Sequence, residues 1–529
     1  MKSYPCPRCK TGRLVKAGMT PGGKQRWSCQ SRSGQDSRRT LCYKTTDPTA
    51  GAVINQRGDR SKPGKPLKFV RDLSKAKTFI ITSAQNGTPV HREFFAALQQ
   101  FAVERKAELV VIPLRYKNPT SQWTLSQQNA EAWATEVLPY LYNGRKELNS
   151  NVMLLADIKT QPTASSPLTG FEGISHGESC ILGHTKLQMK VVATPQHKFP
   201  KIMTTTGSCT RPNYTDSRAG KLGEFHHTLG AVIVEVVDEK IFHLRHVNAI
   251  KSTGIFTDID RAYGPNGSVK ADPPAALIMG DTHVDFIDPR VYAATFAKGG
   301  IVDRLQPSTL VYHDLLDAYA VNPHHRGNPF IAHAKRSTGR DNVRDEVQRA
   351  INFVIEHGTG RQSIVVPSNH DNFLSRWVVD TDWRDGTVNP QFYLETALAM
   401  LKATRMGDGG TEYPSPFAYW FNLRKIPGAR ALRGNESFAL EGVELGMHGD
   451  LGPNGARGSI SNLRRIGVRS VIGHSHSPGI DEGCYQVGTS TSLRLEYNRG
   501  PSGWLNTHCI LHRDGKRQLI NIINGEWRL

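Results

Sequence analysis

Apolar residues in this chain fall into short runs separated by glycine, proline and polar residues, a spacing that predicts many brief strands with few long helices. Thr78-Phe79-Ile80-Ile81-Thr82 reads as a strand, Phe94, Leu98, Phe101 and Ala102 mark one face of a helix, and Leu109-Val110-Val111-Ile112 reads as a second strand. Together they predict a βαβ start. Val152-Met153-Leu154-Leu155, Lys190-Val191-Val192-Ala193 and Ala231-Val232-Ile233-Val234-Glu235-Val236 continue the β-rich pattern. No nucleotide-binding glycine loop interrupts this stretch. His176, Cys180, His184, Cys209, His226 and His227 lie within it, and the glycines and serines around them favour ordinary loop histidines and buried thiols over a second metal site.

From Asp272 onward the apolar runs share one feature: each ends in residues that can bind metal. Ala275-Ala276-Leu277-Ile278-Met279 leads to Asp281 and His283, Thr309-Leu310-Val311-Tyr312 to His313-Asp314 with Asp317 beyond, and Ser363-Ile364-Val365-Val366-Pro367 to Asn369-His370-Asp371. Val443-Glu444-Leu445-Gly446-Met447 leads to His448 and Asp450, and Val468-Arg469-Ser470-Val471-Ile472 to His474 and His476. In open α/β sheets the carboxyl ends of strands line the ligand crevice, so the five tips are expected to converge there. Their mixed oxygen and nitrogen donors, without cysteine, suit two divalent ions of the manganese, iron or zinc type.

Charge and cysteine content add a separate module at the front. The 529 residues carry a formal net charge of +20, which favours a polyanionic partner. Half of that excess lies in residues 1 to 45, where Asp36 is the single acid. The same segment holds Cys6, Cys9, Cys29 and Cys42, whose CxxC opening suits a closed tetrahedral zinc site. So short a segment cannot hold itself together by burial alone, and a reducing cytoplasm disfavours disulfides, so one structural zinc is favoured over two disulfides. Residues 47 to 68, rich in glycine, proline and polar residues, read as a flexible linker. The expected domains are thus a zinc ribbon over 1–46, the linker over 47–68, an α/β domain of unknown role over 69–271, and a metal-bearing α/β domain over 272–529.

Asp281-Thr282-His283, His313-Asp314, Asn369-His370-Asp371, His448 and Gly473-His474-Ser475-His476 follow the order and rough spacing of the calcineurin-like metallophosphoesterases, which the chain resembles over about residues 273 to 529. The resemblance implies a four-layer α/β sandwich. It implies that Asp281, His283 and His476 hold one metal, that Asp314 bridges, and that Asn369, His448 and His474 hold the other. His370 would contact the scissile phosphate and protonate the leaving oxygen, with Asp371 orienting it. Manganese is the foremost metal, with magnesium, iron or zinc as alternatives. Two positions depart from the family, which has glycine where His313 and Ser368 stand. Asp317 is the substitute bridge should Asp314 point away. The front module, through Cys6-Pro7-Arg8-Cys9 and Arg26-Trp27-Ser28-Cys29, resembles the zinc ribbons of insertion-sequence transposases. That likeness implies DNA contact, with Trp27 either stacking on a base or, the favoured reading, filling the small core.

The function expected from both parts is a metal-dependent deoxyribonuclease that hydrolyses phosphodiester bonds by two-metal activation of a bridging water. Within the superfamily the chain looks most like the nuclease branch represented by SbcD, and its architecture is similar to large phage-encoded DNases. Nucleic-acid contacts are expected from Arg8, Lys10, Lys24, Arg26, Arg38 and Arg39, and from Arg326 and Arg376 beside the metal motifs. The expected partners are DNA and further copies of the chain, with no membrane. The expected location is cytoplasmic, in the host cytoplasm if the protein is phage-encoded. The alternatives are a phosphatase or cyclic-nucleotide phosphodiesterase tethered by the ribbon, and a non-catalytic DNA-binding protein.

Overall fold

A computed structural model describes residues 4–5, 13–19, 23–29, 44–45, 67–123, 132–407, 410–434 and 436–529. It divides the chain into two compact units, Met1–Leu67 and Lys68–Leu529. In the first, Tyr4–Pro5, Arg13–Met19, Gln25–Cys29 and Lys44–Thr45 form an antiparallel sheet in that spatial order. Leu14 and Cys29 are paired across its central strands and both are buried. Trp27 is half-buried, while Lys24 and Arg26 are exposed. The predicted ligands Cys6, Cys9 and Cys42, the predicted contacts Arg8, Lys10, Arg38 and Arg39, and residues 47–66 of the predicted linker lie outside the described residues.

The first half of the larger unit runs β1 (Thr78–Gln85), α1 (Arg92–Glu104), β2 (Glu108–Leu114), β3 (Arg145–Asn149), β4 (Val152–Leu155), β5 (Ser179–Leu182), β6 (Gln188–Val192), β7 (Lys201–Thr205), α2 (Arg218–His226), β8 (Gly230–Val236) and β9 (Phe242–Asn248). The predicted βαβ start is present. β1 and β2 are parallel, and α1 buries Phe94, Phe95, Ala97, Leu98 and Phe101, the stripe that a 3.6-residue period lays on one helix face.

The second half runs β10 (Ala276–Ile278), β11 (Thr309–Tyr312), α3 (Val343–Gly358), β12 (Gln362–Val365), α4 (Asp371–Asp380), α5 (Pro390–Ala403), α6 (Pro416–Leu423), β13 (Ala429–Ala431), β14 (Ala439–Leu440), β15 (Val443–Glu444), β16 (Ser470–Ile472), β17 (Gly479–Asp481), β18 (Cys484–Gln486), β19 (Thr507–Leu511) and β20 (Arg517–Asn521).

Three sheets organise these strands: β9-β8-β1-β2, β13-β12-β11-β10-β19-β20, and a ten-stranded sheet β14-β15-β16-β18-β17-β6-β7-β5-β4-β3. The long sheet is a palindrome in topology. If β3, β4, β5, β6 and β7 are set against β14, β15, β16, β17 and β18, each half repeats the other, with an antiparallel outer hairpin, two parallel pairings and an antiparallel inner hairpin. β6 pairs with β17 antiparallel at the centre, as a two-fold relation requires. The correspondence extends to the other sheets, since β9-β8-β1-β2 has the order and directions of β20-β19-β10-β11. The edge strands β9 and β20 lie side by side, with Asn521 Nδ2 donating to the Leu244 carbonyl at 3.1 Å and Gln518 Nε2 to the His246 carbonyl at 3.1 Å. Residues 69–271 therefore form a second copy of the strand plan of 272–529. The second half adds β12, β13 and the helices between them.

One core joins the copies. Phe79, Val110, Ile181 and Ile202 from the first half are clustered with Ile278, Val311, Val443, Val471 and Tyr485 from the second. The division expected at 271/272 thus separates two repeats within a single packed unit. A mixed α/β architecture is what the structure has.

Candidate metal centre

The five predicted strand tips do meet, and they come from two sheets. β10, β11 and β12 belong to the six-stranded sheet, β15 and β16 to the ten-stranded one. The reason is pairing: β16 pairs in parallel with β18, which is joined through β17 to the first half. The cluster therefore sits where strand ends from both sheets come together.

Backbone pairing carries on past the strand ends. Thr282 N donates to the His313 carbonyl at 2.9 Å and His283 N to the Asp314 carbonyl at 2.7 Å, which locks the β10 and β11 loops together. At four positions the chain then turns through the left-handed region, with φ of 41° at His283, 44° at Asp314, 73° at His474 and 57° at His476. Non-glycine residues rarely adopt this conformation, and its concentration here marks a built site. Gly473 is needed for space, because a Cβ there would lie 2.1 Å from Asp281 Oδ1.

The side chains converge around Asp314. Its carboxylate lies 3.6 Å from His283 Nε2 and 3.2 Å from His448 Nε2. His476 Nε2 is 3.2 Å from Asp281 Oδ2 and 3.2 Å from His283 Nε2. Asn369 Oδ1 is 3.2 Å from His448 Nε2 and 3.0 Å from His474 Nδ1. Two groups that could each hold a metal ion share Asp314: His283, Asp314 and His476, and Asp281, Asp314 and His448. Asp281, His283, Asp314, His448 and His476 are all buried.

Electrostatics show what the cluster wants. Burial alone would raise the Asp314 carboxyl, yet His370, His448 and His283 hold it well below the usual carboxylate range. Burial would lower His283, but Asp314 and Asp317 overcome it and raise the imidazole to about 9. His448 is raised to about 9 against the same burial penalty, by Asp314 and Asp281. Buried carboxylates thus draw positive charge onto facing imidazoles, and a divalent cation can replace those protons.

Asp317 binds the cluster together from behind. Its carboxylate lies 3.0 Å from His283 Nδ1, and its backbone carbonyl accepts from His370 Nδ1 at 2.7 Å. Asp371, expected to orient His370, instead accepts from the Ser368 backbone N–H at 3.3 Å, and its own N–H donates to Ser368 Oγ at 3.3 Å. Burial and the Asp314 charge push its carboxyl up to about 8. The correction follows from position: Asp371 begins α4 and folds back on the residue three before it, whereas Asp317 sits across from both histidines. Asp314 points into the cluster, and Asp317 with His283 and His370 makes a further group that could hold a metal ion.

His313 is fully buried behind the site, 3.4 Å from His448 through the Nδ1 atoms, and burial keeps it neutral with a pKa of about 4. Arg326 is exposed and is not among the cavity residues, and Arg376 pairs with Asp380 one helical turn away at 3.6 Å. A cavity of about 740 Å³ over the cluster is lined instead by Arg457, Tyr497 and Trp504 with Asp314, Asn369, His370, His474 and His476. No strand or helix period singles these three out, since they lie in connections. The insertion between Asp371 and His448 packs inward through Phe392, Phe417 and Phe421. In the first half, His184 bonds to the Gln161 carbonyl at 2.9 Å and His227 to the Thr210 carbonyl at 2.7 Å, while Cys180 and Cys209 are buried. Among the described residues these form no metal-binding group.

The fold and the cluster define a mixed α/β protein with a buried histidine and aspartate centre able to hold metal. The chain belongs to the family of Protein A1 of Escherichia phage T5, to which it is 30% identical over 475 residues, covering 86% of this chain and 84% of that protein. No protein-family model and no solved structure matches it. Among the described residues no helix is long and apolar enough to cross a membrane.

Proposed function

We propose that this protein is a nuclease of the calcineurin-like metallophosphoesterase type, hydrolysing phosphodiester bonds of DNA with two divalent metal ions. The observation that carries the reading is the pair of ligand groups sharing Asp314. The donor set fits metal on a further count. Asp281 Oδ1, Asp314 Oδ1 and His476 Nδ1 are buried without a hydrogen-bond partner, and the His283 and His476 Nε2 atoms face each other at 3.2 Å. Buried polar atoms left in this way are costly unless something not among the protein atoms satisfies them. His283 and His476 would hold one ion, His448 with Asn369 and His474 the other, and Asp314 both; Asp281, grouped with Asp314 and His448 and 3.2 Å from His476, would join the first as the family resemblance implies.

Two such ions would bind the oxygens of a phosphodiester, offset its charge and make a water nucleophilic near neutral pH. The remaining work falls to the chain. The Asp317 carbonyl can only accept, so it keeps a proton on His370 Nδ1; when Nε2 is protonated as well, the imidazolium can give that Nε2 proton to the departing oxygen and return to the neutral Nδ1–H ring. The Asp317 carboxylate sets a negative charge 3.0 Å from His283 Nδ1, which favours a proton there and leaves the Nε2 lone pair of His283 facing Asp314 and His476. We further assign the four-stranded front unit as a zinc ribbon with Cys29 among its ligands, its basic residues adding affinity for DNA phosphates. The phage relative fits a phage-borne enzyme acting in the host cell.

Plasmid DNA incubated with manganese, magnesium or EDTA tests the proposal. Fragmentation that needs metal and falls by about 10²- to 10⁴-fold in His370→Ala supports it. Hydrolysis of a chromogenic phosphomonoester with the plasmid intact would favour a phosphatase, and a gel shift without cleavage a DNA-binding protein.

A further inference from the structure

The cavity over the cluster has a polar side and an aromatic side. Trp504 lies against the His476 ring with centroids 4.1 Å apart, and Tyr497 meets Trp504 edge-on at 5.6 Å. Tyr497 is half exposed, and among the described residues no hydrogen bond engages either the Tyr497 hydroxyl or the Trp504 indole. Arg457 on the same cavity is exposed and, among the described residues, pairs with no carboxylate.

The repeat supplies an internal comparison. Tyr497 and Trp504 lie in the connection from β18 to β19, and the corresponding connection from β7 to β8 carries Tyr214 and His227. There the pair is sealed: Tyr214 Oη is 2.8 Å from His227 Nδ1 and 2.9 Å from Thr185 Oγ1. In the second copy the aromatic pair is left open to the cavity. It is also held from behind by the first half. Ser502 N donates to the Thr194 carbonyl at 2.8 Å, Gln196 Nε2 to the Asn498 carbonyl at 2.6 Å, and Arg494 to the Gln196 carbonyl at 2.7 Å.

An apolar ring surface beside a cluster suited to phosphate, with an unpaired guanidinium on the same cavity, fits a planar base joined to that phosphate through its sugar. We propose that Trp504 and Tyr497 form a stacking subsite for the base of an unpaired nucleotide flanking the scissile phosphodiester, with Arg457 on the neighbouring phosphate. The substrate strand is accordingly single-stranded, frayed or flipped at the cut, because a base within a duplex already has both faces stacked. This assignment rests on the nuclease reading given above.

The test uses the full chain carrying His370→Ala, loaded with manganese, and a single-stranded oligodeoxynucleotide with one 2-aminopurine moved along its length. Stacking on Trp504 should quench the fluorescence at one or two positions only. Trp504→Leu should abolish that quenching and weaken binding about tenfold, Trp504→Phe should retain most of it, and Tyr497→Ala, at a half-exposed position, should reduce it without unfolding the chain. A blunt duplex of equal length should compete poorly. Position-independent quenching, quenching unchanged in both Trp504→Leu and Tyr497→Ala, or equal competition by the duplex would overturn the subsite. Metal-dependent plasmid cleavage by the unsubstituted protein is scored separately. Cleavage with no positioned quenching removes the subsite alone, and positioned quenching with no cleavage removes the nuclease reading while supporting a stacking site.

Discussion

The carboxylate of Asp317 lies 3.0 Å from Nδ1 of His283, on the side of the ring away from His476. Negative charge at this distance favours a proton on Nδ1, which leaves Nε2 as the nitrogen with a lone pair for a metal ion. Asp317→Asn keeps the shape and removes the charge. We expect manganese affinity to fall about 10- to 100-fold by isothermal titration, and Asp371→Asn, whose carboxyl faces Ser368, to change it far less.

Gly473 allows β16 to pass against Asp281. Adding one methyl would place it 2.1 Å from Asp281 Oδ1 and 3.1 Å from the His313 side chain. Gly473→Ala should cost the metal-free protein about 1–3 kcal/mol through overpacking. It should also erase the rise in melting temperature that manganese gives the unsubstituted protein. A melting curve with and without the ion reads both effects.

Acid should destabilise the larger unit before its carboxylates titrate. Burial lowers His184, His227 and His243 to about 4 and His246 to about 3, so these rings are neutral when folded. In the unfolded chain they titrate near 6.5. The folded pKa lies below the unfolded one, so the unfolded state takes up protons first. The contribution of these four sites is therefore full above about pH 6.5 and falls as pH drops towards 4, with a slope of about 5 kcal/mol per pH unit in mid-window. Urea unfolding at pH 6.5, 6.0 and 5.0 should show the decline, and His246→Gln should flatten it.

Removing residues 1 to 46 should weaken DNA binding and flatten its dependence on salt, because fewer phosphate contacts release fewer counterions. Hydrolysis of a small diester such as methyl p-nitrophenyl phosphate should remain. An unchanged salt slope would separate the front unit from nucleic acid.

The chain by itself determined where the strands are and which side chains stand at their tips. The apolar run Thr309 to Tyr312 and the ligand pair after it are both local, and the strand forms as written. Asp281, His283, Asp314, Asn369, His448, His474 and His476 were legible for the same reason: each follows directly from a strand end. What only the tertiary structure decided depends on pairings between distant segments. That the tips belong to two sheets, that residues 69–271 repeat the strand plan of the second half, and that β6 and β17 join the copies are matters of hydrogen bonding across hundreds of residues. The role of Asp317 beside His283 and His370, and the wall of Tyr497 and Trp504, were hidden likewise. Side chains in loops carry no period, and their neighbours are set by where folding brings other loops to rest.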